Sequence, residues 1–206
     1  MTGAVLVLLA GLPGTGKTHL CSRIRACFPN CTQVSIDVVK EALWERYGFD
    51  DAAQKRELDD MALRLFFSDL DTALGHAHDS AAMVVSDYPF SDKQEPTLRA
   101  LCERHRATVM TIRLTADLEV LFERQQRRDL DPSRHLGHIV DHYHRGDTLK
   151  DRTAATGLLT REEFYRRCTT RGYDAFRLGD LLEVDATDLD AVDHEAILKW
   201  IAARSE

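Results

Sequence analysis

Cysteine is sparse in this chain of 206 residues, which holds five: Cys21, Cys27, Cys31, Cys102 and Cys168. An odd number with no C-x-x-C pair indicates neither a disulfide framework nor a zinc module, so reduced thiols in a cytoplasmic setting are the plain reading. Basic charge is also in deficit. Lys and Arg number 27 against 34 Asp and Glu, a formal charge of −7, which argues against a protein built mainly to grip nucleic acid or an anionic membrane. A small-molecule partner, or one held by a local basic patch, is expected instead. No apolar run approaches the roughly 20 residues of a membrane span. The apolar N-terminal stretch has no basic n-region, and a glycine-rich loop begins where a cleavage site would have to lie, so no signal peptide is expected. Internal repeats and low-complexity linkers are absent from the sequence. The length suits one α/β domain, 1–206, with a small lid, and is short for two independent domains. Oligomeric state is left open.

What the sequence does have is GLPGTGKT, Gly11 to Thr18, directly behind the apolar run Val5 to Ala10. It fits G-x-x-x-x-G-K-[ST] at every fixed position, the pattern of a phosphate-binding loop. Glycines let successive backbone N–H groups turn inward around a β-phosphate, Lys17 adds a positive charge toward the β/γ oxygens, and the Thr18 hydroxyl can ligate Mg²⁺. A helix starting near Gly16 aims its dipole at the same phosphates. The candidate ATP contacts are therefore Gly11, Pro13, Gly14, Thr15, Gly16, Lys17, Thr18 and the adjoining His19.

Along the chain, Val5 to Ala10 reads as a central parallel strand covered on both faces. After the first helix, Thr32 to Ile36 is a short strand that delivers Asp37 at its carboxyl end, where parallel sheets bind ligands. Capping a helix over Val38 to Tyr47 is the lesser reading of Asp37. A long amphipathic helix follows from Asp51 to about Ala77. Ala81 to Ser86 is a third strand ending in Asp87, which resembles a Walker B carboxylate, although a turn aspartate there is common. A helix over Asp92 to Arg106, a strand over Ala107 to Leu114 and a helix over Ala116 to Arg128 come next, the last with a basic end. From Asp129 to Asp151 the pattern stops, and Pro132, Gly137, Gly146 and four histidines point to a mobile covering segment. Thr160 to Arg171 reads as helix, Leu181 to Val184 as a fifth strand, and Leu189 to Arg204 as a closing helix. The alternation predicts an α/β fold with a five-stranded parallel sheet and helices on both faces.

Phosphoryl transfer calls for a phosphate cradle, Mg²⁺, a carboxylate for the attacking hydroxyl and arginines around the moving group. GLPGTGKT, SIDVVKEAL, VVSDYPF, and ERQQRRD followed by RHLGH together resemble the small P-loop kinases of the group that includes polynucleotide kinase, zeta toxin and chloramphenicol phosphotransferase, with the first motif specific and the others suggestive. The resemblance implies a P-loop NTPase fold and an ATP- and Mg²⁺-dependent kinase acting on a hydroxyl of a nucleoside, nucleotide or antibiotic-like metabolite. It implies Asp37 as the carboxylate that orients or deprotonates the acceptor, and Asp87 with Thr18 at the metal. It implies Arg124 stacked on adenine, Arg128 four residues later on the phosphates, and Arg134 reaching the transferred group from the lid; a solvated helix end is the plainer account of these arginines. A polynucleotide acceptor is the weaker alternative, given the acidic balance, and a nucleotide-binding switch with little catalysis is the rival from another class. His138 and His142, spaced i, i+4, invite zinc, but His135, His138, His142 and His144 lack a fixed third ligand in a motif, so metal there is disfavoured.

Overall fold

The computed structural model describes residues 3–80 and 82–205. Five strands form one parallel sheet: β1 (Val5–Gly11), β2 (Cys31–Ser35), β3 (Met83–Asp87), β4 (Thr108–Thr115) and β5 (Asp180–Asp185), in the order β2-β3-β1-β4-β5. Among the described residues seven α-helices connect and cover them: α1 (Lys17–Cys27), α2 (Ile36–Tyr47), α3 (Ala52–Ser80), α4 (Glu95–His105), α5 (Leu118–Leu130), α6 (Arg161–Thr170) and α7 (His194–Ala202). Ala81, where the sequence pattern starts the third strand, lies outside the described residues.

The central position of β1 follows from its composition. Successive side chains of a strand point to opposite faces, and every residue of β1 is buried. Leu6, Leu8 and Ala10 join Phe66, Leu70 and Leu74 of α3 and Leu98 of α4 on one face. Val5, Val7 and Leu9 join Leu20 and Ile24 of α1 and Ile197 and Ile201 of α7 on the other. Each of these fully buried aliphatic side chains stabilises the fold by roughly 1.5–3 kcal/mol, so a polar residue has no place in this strand.

Three departures from expectation bear on the site, each for a local reason. α2 starts at Ile36 with no connecting loop after Ser35, so Asp37 sits in the first helical turn. No side-chain cap bond forms at Ser35, and Asp37 turns to another segment instead of capping. The closing helix is interrupted: Leu189–Ala191 is a short 3-10 turn, and α7 begins only after Asp193, whose side chain accepts from Ala196 N. The 129–151 segment, which shows no periodic apolar face, is nevertheless pinned by scattered apolar residues. Ile139, Val140 and Tyr143 bury against Trp44 and Phe49 at the end of α2, and the Phe49 and Tyr143 backbones exchange two hydrogen bonds of 2.8 Å.

Candidate active site

At the end of β1 the chain must turn sharply beside β4. Gly11 has φ 125°, and a Cβ there would lie 2.2 Å from the Leu114 carbonyl oxygen; only glycine fits. Gly16, at φ 90°, then opens α1, leaving the unpaired N–H groups of that helix facing the loop. Inside the loop the Thr15 hydroxyl donates to Leu12 O at 2.8 Å. Lys17 Nζ folds back to donate to Gly11 O at 2.9 Å and Leu12 O at 2.8 Å. Burial, with the nearby Arg128 charge, lowers its pKa to about 8 against the opposing pull of Asp87 and Asp37.

Because β3 is the immediate neighbour of β1, with Asp87 level with Leu9, the Asp87 carboxylate arrives beside the loop. Thr18 Oγ1 donates to Asp87 Oδ2 at 3.0 Å, and Gln33 Nε2 lies 3.5 Å from Oδ1. Burial pushes the Asp87 carboxyl above its ordinary value, and the Asp37 charge adds to this, against hydrogen bonds from Thr18, Ser35 and Gln33. A buried carboxylate bonded to a hydroxyl, with a second carboxylate on the same cleft wall, is an all-oxygen donor set. That chemistry fits Mg²⁺, which keeps most of its waters and takes one or two protein oxygens.

Asp37 faces the same space from β2's side of the sheet. Arg134 Nη1 lies 3.3 Å from Asp37 Oδ2, although 97 residues separate them. Burial raises the Asp37 pKa, but His138, Arg134, Arg128 and Lys40 outweigh it and hold the carboxyl below its ordinary value. Of the arginines of α5, Arg127 is exposed, whereas Arg124 and Arg128 are partly buried and held in place. Arg124 donates to Ala186 O at 2.7 Å and Thr187 O at 2.8 Å, which fixes it to the loop after β5. Arg128 donates to Gln125 Oε1 at 2.9 Å, while Nε of Arg128 and Nε of Arg134 are buried with no protein partner. Burial and the neighbouring Arg134 depress the Arg128 pKa. Guanidinium groups bind anionic oxygens well, and these two retain donors that the protein does not use.

The structure thus brings Pro13, Gly14, Gly16, Lys17, Thr18, His19, Asp37, Asp87, Arg124, Arg128 and Arg134 to the wall of one cleft of about 380 Å³. Thr15 is buried beneath it, and Gly11 forms its floor turn. His19 stands at the rim, accepting from Arg23 Nε at 3.0 Å and packing edge-on against His194. A second cleft of about 580 Å³ opens beside the first; the two share Thr18, Asp37, Arg124, Arg128 and Arg134, and Gln33, Ser35, Glu41, Ser133 and His135 line its far wall.

Sequence reasoning passed over Gln33, Ser35, Glu41 and Glu45. Asp37, Glu41 and Glu45 form an i, i+4, i+8 acid row on α2, and the 129–151 segment answers it residue by residue. Arg134 meets Asp37, His138 Nε2 lies 2.7 Å from Glu41, and His135 Nε2 lies 3.0 Å from Glu45, which also accepts from the Tyr143 hydroxyl. Burial lowers the His138 pKa, with Glu41 opposing. The acid spacing on α2 was the available signal. His138, packed at 4.8 Å on Trp44, pairs with Glu41, whereas His142 lies beside Asp50 and Asp147, so the i, i+4 histidines have separate partners.

The family model described as an AAA domain, AAA_18, matches residues 7–143, and the chain belongs to that family. Its fold is that of the P-loop NTPases. A candidate kinase from Chloroflexus aurantiacus has the same fold at TM-score 0.73 and 23% identity, over 98% of this chain and 96% of that one. A gluconokinase from Sinorhizobium meliloti follows at 0.54 and 13%, over 98% and 91%. The Deinococcus radiodurans tunicamycin resistance protein stands at 0.53 and 15%, over 97% and 94%. At these identities the likeness is one of fold. None of the curated proteins matches the sequence.

Proposed function

We propose that the protein is an ATP- and Mg²⁺-dependent phosphotransferase that moves the γ-phosphate of ATP to a hydroxyl of a small molecule: a nucleoside, a nucleotide or an antibiotic-like metabolite. The observation that carries this reading is the junction of the two clefts. Where they meet, one carboxylate, Asp37, stands with Arg124, Arg128 and Arg134, and Lys17 lies on the loop side of the first cleft. The loop side suits a triphosphate; the second cleft has the volume of a small-molecule site and mixed polar walls. The kinase, gluconokinase and antibiotic-resistance descriptions of the proteins that share the fold agree with a small acceptor.

In this reading the glycine loop and Lys17 hold the β- and γ-phosphates, and Arg124, clamped to the loop after β5, lies flat against the base. Thr18 and Asp87 would hold Mg²⁺, which would neutralise phosphate oxygens. Asp37 accepts a hydrogen bond from the acceptor hydroxyl. The hydroxyl oxygen attacks the γ-phosphorus, the bond from that phosphorus to the β–γ bridging oxygen breaks, ADP keeps the electron pair, and the hydroxyl proton passes to Asp37. A carboxyl held below its ordinary pKa is ionised at neutral pH. It is thus ready to orient the nucleophile, and in a loose transition state proton transfer comes late, so strong basicity is not required. Arg128 and Arg134 stabilise the equatorial oxygens as charge moves.

The test is transfer of γ-labelled phosphate to a panel of nucleosides, nucleotides, sugars and sugar acids, hydroxylated antibiotics and oligonucleotide 5′ ends, read by mass spectrometry. One labelled small-molecule product supports the reading. Labelled oligonucleotide alone would replace it with a polynucleotide kinase, and slow ATP hydrolysis with no labelled acceptor would reject transfer altogether.

A further inference from the structure

The face of the Phe49/Tyr143 bridge turned away from the core carries a group of side chains that the phosphoryl-transfer reading does not use. In an antiparallel pair the residues on either side of a bridged position point opposite to it. Phe49 and Tyr143 are buried, so Gly48 and Asp50 on one strand and His142 and His144 on the other share the outer face. His144 Nε2 lies 2.8 Å from Asp50 Oδ1, and His142 Nδ1 lies 3.7 Å from the same oxygen. One ligand atom from each of Asp50, His142 and His144 falls within 4.8 Å of the others. Asp147 adds a second carboxylate: its Oδ2 accepts from His144 N at 2.7 Å and stands 3.9 Å from His142 Nε2.

Two features hold this arrangement in place. The double hydrogen bond between Phe49 and Tyr143, with both rings in the Trp44 cluster, fixes the two backbones to each other. Opposite His144 the chain has Gly48, at φ 65°, where a Cβ would lie 2.3 Å from His144 Nδ1; the missing side chain is what lets the imidazole lie across the strand. All three side chains remain open to solvent.

We infer that Asp50, His142 and His144 form a binding site for a divalent transition metal, Zn²⁺ by its ligand chemistry, which clips the 139–147 segment to the α2–α3 turn. Two imidazoles and one or two carboxylates suit Zn²⁺, whereas Mg²⁺ and Ca²⁺ prefer all-oxygen sets. The site is separate from the Thr18/Asp87 oxygens and does not depend on the chain being a kinase.

Zn²⁺ titrated into the whole ligand-free protein, followed by calorimetry in Mg²⁺-containing buffer, should bind at one equivalent. His142→Ala and His144→Ala should each weaken it by at least about tenfold, whereas His78→Ala, on exposed α3, should not. Co²⁺ in place of Zn²⁺ should give visible d–d bands without thiolate charge transfer, a readout that needs no variant and separates this site from the cysteines. With Zn²⁺ bound, amide hydrogen exchange across 139–147 should slow. Unchanged stoichiometry and affinity in the His142→Ala/His144→Ala double variant, thiolate bands with Co²⁺, or no binding at all would each overturn the site.

Discussion

Binding of a nucleoside triphosphate should draw a proton onto Lys17. In the ligand-free protein the ammonium spends its hydrogen bonds on two loop carbonyls, and burial with the Arg128 charge lowers its pKa to about 8. At pH 8 about half of the molecules then carry a neutral Lys17. The β- and γ-phosphates bring several negative charges beside it and restore a pKa near or above the ordinary 10.5. Uptake should therefore be about 0.1 proton per nucleotide at pH 7, about 0.5 at pH 8 and about 0.9 at pH 9. The sign follows from linkage: the bound state holds more protons, so affinity is greatest below pH 8 and falls toward tenfold per unit above it. The free fold carries the opposite dependence, since an unfolded Lys17 stays protonated up to about 10.5; this group lets stability rise between pH 8 and 10.5. Calorimetry with Mg²⁺ and a non-hydrolysable ATP analogue, in buffers of different ionisation enthalpy at pH 7, 8 and 9, measures the uptake directly. Lys17→Met should remove the pH-dependent part and abolish transfer while leaving the fold intact. The same small uptake at pH 7 and pH 9 in the native protein would refute the release of a buried, depressed Lys17 by the incoming phosphates.

Asp37→Asn keeps the shape and some hydrogen bonding but removes the acceptor of the proton; turnover on the identified acceptor should fall roughly 10²–10⁴-fold with ATP affinity preserved, and normal turnover would rule out the role. Arg124→Ala should mainly weaken ATP binding, because the guanidinium held on Ala186 O and Thr187 O is lost from the base side, whereas Arg134→Ala should mainly lower turnover; equal and negligible effects in steady-state kinetics would separate both from the reaction. Asp87→Asn should raise the Mg²⁺ concentration needed for half-maximal rate, since one of the two oxygens beside Thr18 is replaced by an amide; an unchanged Mg²⁺ dependence would move the metal elsewhere. Leu8→Ala, in the fully buried centre of β1, should cost about 2–5 kcal/mol in a denaturant melt.

Local pattern was enough for the phosphate loop and for the α/β alternation, because each is written in consecutive residues. GLPGTGKT states its own conformational needs, glycines at Gly11 and Gly16 where φ is positive, and an unbroken apolar run at Val5–Gly11 can be buried only between two helical layers. The element ends were less legible: β2 is short and half-exposed, so nothing in its composition showed that α2 would follow without a loop, and a cap stood as the lesser reading of Asp37 beside its site role. The order β2-β3-β1 was decided by tertiary structure, and with it the meeting of Asp87 and Thr18 across 69 residues. So was the docking of 129–151 on α2, where Ile139, Val140 and Tyr143 are anchors without periodicity, and where Arg134, His138 and His135 find Asp37, Glu41 and Glu45 some 90 to 97 residues away. Spacing rules carry information only along one helix or strand. Contacts between distant segments depend on how those elements pack, and that is why the acid row, the second cleft and the Asp50/His142/His144 group exist only in the folded chain.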